Sequence, residues 1–255
     1  GVNPMLAQSY SKQAAKMTFP CYAQPKLDGH RCVAMVVDGK CTLWSRTRKR
    51  INSVPHIVKE LERLCVGRTV TLDGELYSHE YKSKFEQLTS LIRKEEPAVG
   101  HEVVQYHVYD LIKDGGFDER WDDLGTVLMH HKLGSGAFVQ PVLTRELSSE
   151  EEVTSAFSMA INLGYEGIML RNSDGLYVNK RSYDLQKVKE FEDAEFEIIG
   201  AEEGRGKLAG HVGAFICRMS NGKEFLVKMS GDTEQLKKYF SNPRLYTGKM
   251  LTVQY

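Results

Sequence analysis

The chain has 255 residues, 41% of them hydrophobic, which is enough to bury a core in one large domain or in a large and a small one. Lysine plus arginine equals aspartate plus glutamate at 34 each, so the formal net charge is zero and bulk attraction to nucleic acid is excluded. Any nucleic-acid partner must therefore bind a local basic face.

Neither a membrane span nor a secretion signal is predicted. No apolar run approaches ~18 residues, and the opening "GVNPMLAQSYSKQ" lacks the charged-then-apolar order of a signal peptide. The five cysteines are odd in number and form no C-x-x-C pair, which favours free thiols over a disulfide framework or a zinc site. We expect a soluble intracellular protein of a reducing compartment.

The first part of the chain alternates predicted strands and helices. Alternating residues on both sides of Asp38-Gly39 predict a hairpin with that pair in its turn. "SVPHIVKELERLC" has apolar residues at helical spacing, with Ser53 as the cap. The pattern further predicts a strand over 68–77, a helix over 82–93, a strand over 102–112, a helix over 118–132 and a short strand over 137–143.

The later part changes in texture. A helix is predicted over 147–164, with Ser149 as its cap and Gly164 at its end, followed by strands over 167–172 and 185–191. Beyond that, short strands and turns follow closely, with a strong hairpin signal at Asn221-Gly222. We therefore predict an α+β domain over 1–190 and a small β-barrel domain of the OB type over 191–255.

The stretch "KLDGHR" places Lys26 just before an Asp-Gly pair, with Arg31 close behind. Taken alone, it leaves open the alternative of a surface lysine and arginine that flank a turn. A lysine amine attacks phosphorus only when neutral, and its ordinary pKa is ~10.4. Neighbouring cations and partial burial lower such a pKa and make the amine available. A nucleophilic Lys26 therefore requires further charged residues nearby.

Charged residues interrupt several predicted apolar strands. Asp73 and Glu75 do so in "TVTLDGELY", and Glu166 opens the strand of "EGIMLRN". Lys187 and Lys189 share one strand face, because side chains two residues apart point the same way. Each alone is compatible with a solvated edge. Together they supply cations that stabilise phosphate charge and carboxylates that hold Mg²⁺, which are the groups needed for phosphoryl chemistry.

These motifs, in this order, resemble the covalent nucleotidyltransferase superfamily and most closely its ATP-dependent DNA ligases of the compact viral, phage or bacterial type. The matching stretches are "KLDGHR", "LDGELY", "YHVYDLI", "EGIMLR" and "QKVKEF", with "NPMLAQ" similar to the family's lead-in. The resemblance spans nearly the whole chain. It implies an adenylation domain with antiparallel sheets and flanking helices, followed by an OB-fold domain. It also implies the pathways of DNA repair, replication and recombination, in the cytoplasm of a bacterial host or in the nucleus or viral replication site of a eukaryotic one.

The resemblance also implies roles for individual residues. Lys26 attacks the α-phosphate of ATP, expels pyrophosphate and becomes lysyl-AMP. Arg31 and Glu75 hold the ribose and the phosphate or metal region. Tyr109 stacks on adenine. The alternative interpretation is that Tyr109 is an ordinary aromatic residue of the core.

The remaining nucleotide contacts follow in the same way. Glu166 binds the metal together with Glu75, and Lys187 and Lys189 grip the α-phosphate. Arg46 occupies the position of a family arginine after the first hairpin. Gln24 lies at the position where the family binds the adenine amino group. The alternative interpretation is that Gln24 is an ordinary loop glutamine.

Two basic segments are candidates for contact with DNA phosphates. They are the hairpin end "SRTRKR" and the loop "GRGKLAGHVG", and a solvated hairpin end is the alternative reading of the first. The candidate residues are Arg48, Lys49, Arg50, Arg205 and Lys207. A further basic motif of the family, R-x-D-K-like, does not follow "GKMLTVQY". That motif acts in the reaction with free ATP, so we expect pre-adenylated DNA not to require it.

The implied cofactors are ATP and Mg²⁺ or Mn²⁺, and the implied partner of a monomeric protein is nicked duplex DNA. Three alternatives stay open at this point. An mRNA capping guanylyltransferase shares K-x-D-G-x-R and the two-domain plan, and an RNA ligase shares the active-site motifs. The third alternative is a binding protein and not an enzyme, namely a non-catalytic nick-binding module. "EGIMLR" and "PMLA" favour DNA ligase.

Overall fold

The computed structural model describes residues 1–131, 137–189, 193–219 and 221–254. The chain divides into two compact units, Gly1–Glu190 and Phe191–Tyr255. Among the residues so described, no helix combines the length and apolar character that crossing a membrane requires. The cysteines are buried and free, as predicted.

Strands and helices are numbered in chain order. The described strands are β1 Leu6–Ser9, β2 Cys21–Pro25, β3 His30–Val37, β4 Lys40–Ser45, β5 Arg50–Ile51, β6 Val70–Tyr77, β7 Gln105–Leu111, β8 Val139–Pro141, β9 Arg145–Leu147, β10 Gly167–Asn172, β11 Arg181–Lys189, β12 Asp193–Glu203, β13 Val212–Arg218, β14 Glu224–Lys228 and β15 Met250–Gln254. The described α-helices are α1 Tyr10–Gln13, α2 Pro55–Leu64, α3 Phe85–Ile92, α4 Phe117–Val127, α5 Glu150–Asn162 and α6 Thr233–Ser241.

One sheet of the first unit has the order β5-β4-β3-β6-β7-β8. The predicted hairpin between β3 and β4 is confirmed, because Asp38 and Gly39 both have positive φ (49° and 77°) as a two-residue turn of this kind requires. The apolar faces of α2, α3 and α4 pack on this sheet, and their buried leucines and isoleucines form its main core with Leu72 and Leu76. This sheet and its helices are the larger half of the unit.

The second sheet of the unit has the order β1-β11-β10-β2-β9. Helix α5 covers it, with Val153, Ala156 and Ala160 packed against β2 and β10 residues. The predicted cap of this helix is confirmed, because Ser149 Oγ accepts the backbone N–H of Glu152 at 3.3 Å. Most pairings are antiparallel as predicted, but β1 with β11 and β7 with β8 pair in parallel.

The second unit contains an antiparallel sheet in the order β14-β13-β12-β15. The predicted hairpin turn is confirmed, since Asn221 and Gly222 lie between the paired strands β13 and β14. Helix α6 adds Leu236 to a core that includes Phe215 and Tyr246. This helix is absent from the sequence prediction, although Asp232, whose side chain accepts the N–H of Glu234, is the kind of cap that signals one.

Other local predictions need correction. Ser53 does not cap α2, which begins at Pro55, because its hydroxyl is buried and donates to the carbonyl of Ile92 at 2.6 Å. The helix predicted from residue 82 begins at Phe85, since a short 3₁₀ turn precedes it. The helix predicted over 118–132 ends at Val127, because the chain turns over 128–130. The predicted strand end at 190–191 lies outside the described residues.

Candidate active site

The segment from Lys26 to Gly29 connects the two sheets of the first unit, from the end of β2 to the start of β3. At one end, the Lys26 N–H donates to the carbonyl of Gly167 at 2.9 Å. At the other, a Cβ on Gly29 would lie 2.3 Å from the carbonyl oxygen of Leu76, so only glycine fits. The segment is therefore fixed on both sheets, and the predicted nucleophile projects from it.

A cavity of about 1290 Å³ lies beside this segment, and both sheets contribute to its wall. On one sheet, Gln24, Met169 and Lys187 are direct partners across β2, β10 and β11, so their side chains share a face. On the other sheet, Arg31 and Glu75 are direct partners across β3 and β6. The predicted site residues that line the cavity are Gln24, Lys26, Arg31, Arg46, Lys49, Arg50, Glu75, Tyr109 and Lys187.

Lys26 forms an ion pair with Glu166, whose carboxylate accepts from its Nζ at 2.7 Å. The two side chains are 23% and 43% exposed, so solvent and a ligand can both reach the pair. An ammonium group is not a nucleophile, so attack by Lys26 requires this pair to open. Asp28 lies close by: burial and then the Glu166 carboxylate raise the pKa of its carboxyl group.

Glu75 lies in the cavity wall with both oxygens engaged. Oε1 accepts from the hydroxyl of Tyr109 at 3.0 Å, and Oε2 accepts from the N–H of Gly29 at 3.3 Å. Removal from water raises the pKa of Glu75 to about 7, although Arg31 and these hydrogen bonds act in the opposite direction. A carboxyl group with this pKa is about half protonated at neutral pH.

Arg31 is anchored more firmly than the sequence indicates. Its Nε and Nη2 both donate to Asp73 at 2.6 Å, and Nη2 also donates to the carbonyl of Met5 at 2.7 Å. Tyr177 completes the cluster, because its hydroxyl donates to Asp73 and accepts from the N–H of Met5. Asp73 is thus the buried partner of Arg31, and the "NPMLAQ" lead-in is attached to the cavity wall through Met5.

A buried ion network lies behind Tyr109. Asp110 accepts from Arg120 Nε at 3.0 Å and from Arg171 Nη1 at 2.8 Å, and all three residues are at most 3% exposed. Arg171 in turn donates to Gln24. This network was not predicted from the sequence. The available signal was a charged residue inside "YDLI", another inside "MLRN" and a third on the apolar face of α4.

Comparison with known proteins identifies the family. Residues 4–189 match the family described as "ATP dependent DNA ligase domain", and residues 203–255 match the "DNA ligase OB-like domain". The chain belongs to the ATP-dependent DNA ligases. The predicted family and fold class, including the OB-type second domain, are therefore confirmed.

Individual ligases are similar over most of this chain. A DNA ligase of African swine fever virus (isolate Pig/Kenya/KEN-50/1950) is 30% identical over 251 residues, which cover 91% of this chain and 58% of that protein. The structure of Chlorella virus DNA ligase-adenylate has a TM-score of 0.61 at 24% identity and covers 100% of this chain and 91% of its own. The ATP-dependent DNA ligase of bacteriophage T7, in complex with ATP, has a TM-score of 0.57 at 17% identity, with 99% and 93% covered. The chain spans 58% of the length of the swine fever virus ligase.

Several of the predicted ligase residues lie away from the cavity wall. Lys189 is on the same face of β11 as Lys187 but is not among the lining residues. Arg48 lies in the turn between β4 and β5 with φ of 64° and does not line the cavity either. Arg205 and Lys207 are exposed on the loop between β12 and β13 of the second unit.

The carboxylates near Lys26 fit a hard cation only in part. Glu166 is accessible, whereas Glu75 is engaged with Tyr109 and Gly29. Over the described ranges, no three acidic, histidine or cysteine side chains converge on one point. A magnesium ion typically takes one or two carboxylates and completes its coordination with water and substrate phosphate, so this donor set is compatible with such an ion once a nucleotide is bound.

Proposed function

We propose that this chain is the catalytic core of an ATP-dependent DNA ligase, which seals nicks in duplex DNA through a lysyl-AMP intermediate. The observation that carries the proposal is Lys26 itself. It projects from a segment fixed on two sheets, beside a large cavity, and its amine is held by a carboxylate that a ligand can reach.

The proposed first step consumes ATP. Lys26, released from Glu166 and deprotonated, attacks the α-phosphorus, a P–N bond forms, and the bond to pyrophosphate breaks. Arg46 and Lys187 line the cavity and stabilise the charge that develops on the phosphates, with Lys189 on the same strand face as Lys187. Arg31 acts on the ribose and phosphate region through its anchored guanidinium.

The adenine is held at the inner end of the cavity in this proposal. Tyr109 stacks on the base and Gln24 binds its 6-amino group. Glu166, and Glu75 after it loses its proton, are the residues that hold Mg²⁺ or Mn²⁺, which supplies charge neutralisation on the phosphates. AMP then passes to the 5′-phosphate of the nick, and the 3′-hydroxyl displaces AMP to form the phosphodiester.

Nicked duplex DNA is the proposed partner of the monomeric protein. A chain of zero net charge needs local cations for this contact. The proposed phosphate-binding residues are Arg48, Lys49, Arg50, Arg205 and Lys207. Of these, Lys49 and Arg50 line the same cavity as Lys26.

The test is the intact mass of the protein after incubation with ATP and Mg²⁺. The wild type should gain one AMP, and Lys26→Ala should gain none. Lys59→Ala, which removes an exposed lysine of α2, is the matched control and should gain AMP like the wild type. An AMP adduct of equal yield in Lys26→Ala contradicts the assignment, and an adduct with GTP but none with ATP indicates a capping guanylyltransferase.

Pre-adenylated nicks separate the remaining alternatives. The intact protein should seal pre-adenylated nicked DNA in the presence of Mg²⁺ and leave the corresponding nicked RNA largely unsealed. Preference for the RNA indicates an RNA ligase. Binding of the nick without any sealing supports the non-catalytic module.

A further inference from the structure

We propose that Thr144 and Arg171 fix the carboxamide of Gln24 so that only its oxygen is left to a nucleobase. They are thereby the positioning residues through which the cavity selects adenine over guanine. The inference rests on the proposed function, because it takes the cavity to bind a purine nucleotide at Gln24.

The contacts on the two ends of the Gln24 carboxamide require the same orientation. Nε2 lies 3.0 Å from the carbonyl oxygen of Tyr109, and Oε1 lies 2.8 Å from Nε of Arg171. A backbone carbonyl can only accept a hydrogen bond and a guanidinium can only donate one. A rotated carboxamide would place its oxygen against the Tyr109 carbonyl and its amino group against Arg171, and both contacts would be repulsive.

Thr144 uses the second proton of the amide. Its Oγ1 lies 3.1 Å from Nε2 of Gln24 and 3.2 Å from the carbonyl oxygen of Val142. The hydroxyl proton is therefore donated to Val142, and the hydroxyl oxygen accepts from Gln24. With one N–H directed to Tyr109 and the other to Thr144, Gln24 has no donor left. One lone pair of Oε1 stays available, and Gln24 lines the cavity.

Arg171 is itself held in place. Its Nη1 donates to Asp110, which also binds Arg120, and Arg120 Nη1 donates to the carbonyls of Gly115 and Gly175 at 2.8 and 2.7 Å. The whole network is buried, so movement of Arg171 would leave charged groups unpaired away from water. The orientation of Gln24 is thus determined before any nucleotide arrives.

This orientation distinguishes the two purines. Adenine carries an amino donor at the ring position where guanine carries a carbonyl acceptor. A carboxamide with acceptor capacity only binds the first and repels the second. Without Arg171, the carboxamide loses the donor that holds its oxygen in place. Without Thr144, the second N–H of Gln24 has no acceptor and is available to the base. In both cases the preference for a donor on the base weakens.

The experiment measures equilibrium binding to the intact chain by calorimetry. The ligands are AMP, GMP and purine riboside 5′-monophosphate, which lacks the 6-amino group. We expect the wild type to bind AMP about tenfold more tightly than purine riboside 5′-monophosphate, the worth of one hydrogen bond to a buried acceptor. In Thr144→Val and in Arg171→Lys this ratio should fall toward one and GMP should bind more tightly, whereas Thr144→Ser restores the ratio.

The exposed Thr126 on α4 provides the control, since Thr126→Val should leave the ratio unchanged. If Thr144→Val weakens both ligands by the same factor, Thr144 is merely structural and the inference fails. If the variants do not fold, the wild type still decides, because equal affinity for AMP and purine riboside 5′-monophosphate overturns the inference. A wild type that binds no purine nucleotide overturns the proposed function as well, and the two failures are thus distinct.

Discussion

Replacement of Asp110 by asparagine should be among the most destabilising single-atom changes in the first unit. The Asp110 carboxylate is fully buried and accepts three hydrogen bonds from two buried guanidinium groups, at 2.8 to 3.1 Å. Asparagine keeps one acceptor oxygen and turns an amino group toward Arg120 or Arg171. Both buried guanidinium groups then lose their counter-charge, and an unpaired buried charge typically costs about 3–5 kcal/mol.

That loss is large beside the roughly 5–15 kcal/mol that stabilises a typical protein. With a urea dependence of about 2 kcal/mol per molar, it lowers the unfolding midpoint by roughly 1.5–2.5 M. Tryptophan fluorescence is the suitable assay, because Trp44 and Trp121 are the two tryptophans of the chain and both belong to the first unit. The signal therefore reports the unit that contains Asp110.

The matched control is Glu62→Gln, which removes one partner of a surface pair with Lys40 at 3.7 Å. This pair is screened by water, so the unfolding midpoint of Glu62→Gln should equal that of the wild type within error. The reasoning is refuted if Asp110→Asn shifts the midpoint no further than this control. Such a result would mean that water or a rearranged side chain compensates the two arginines.

Three further predictions concern single positions. Because burial raises the pKa of Glu75 to about 7, the folded protein retains this proton between pH ~4.5 and 7, whereas the unfolded chain releases it. Relative to Glu75→Gln, the free energy of unfolding of the wild type should therefore fall by up to about 3 kcal/mol from pH 5 to pH 8. A difference between the two proteins that does not change with pH contradicts this prediction. Gly29→Ala should lose about 1–3 kcal/mol in urea unfolding, since its Cβ would meet the Leu76 carbonyl oxygen at 2.3 Å, and unchanged stability would contradict the close approach. Ser149→Ala should cost about 1 kcal/mol through the lost helix cap, whereas Ser155→Ala on the exposed side of the same helix should cost nothing; equal effects exclude a capping role.

The sequence predicts best where the determining interactions are local. The turn at Asp38-Gly39 follows from residues that tolerate positive φ, and the cap at Ser149 follows from an oxygen three residues from the N–H that it accepts. The motif around Lys26 is also local, and its family resemblance is confirmed by the match over 4–189.

Long-range pairing explains what was missed or corrected. Ser53 has the residue type of a cap, but its hydroxyl bonds to Ile92, 39 residues away. The strand β1 is visible only through its parallel pairing with β11, near the far end of the unit. Its four residues carry no periodic signal of their own, because the partner that completes the ladder is distant in sequence.

The sequence by itself determined which groups are present: a lysine in the family's motif, the carboxylates and cations of the other motifs, and the family to which they belong. Only the tertiary structure decided how these groups are paired. It pairs Lys26 with Glu166, which is 140 residues away in sequence, and it pairs Arg31 with Asp73. It also orients Gln24 through a hydrogen bond from Arg171, 147 residues away. The physical reason is that the protonation of a carboxyl group and the orientation of an amide depend on desolvation and on partners in space, and strand periodicity encodes neither.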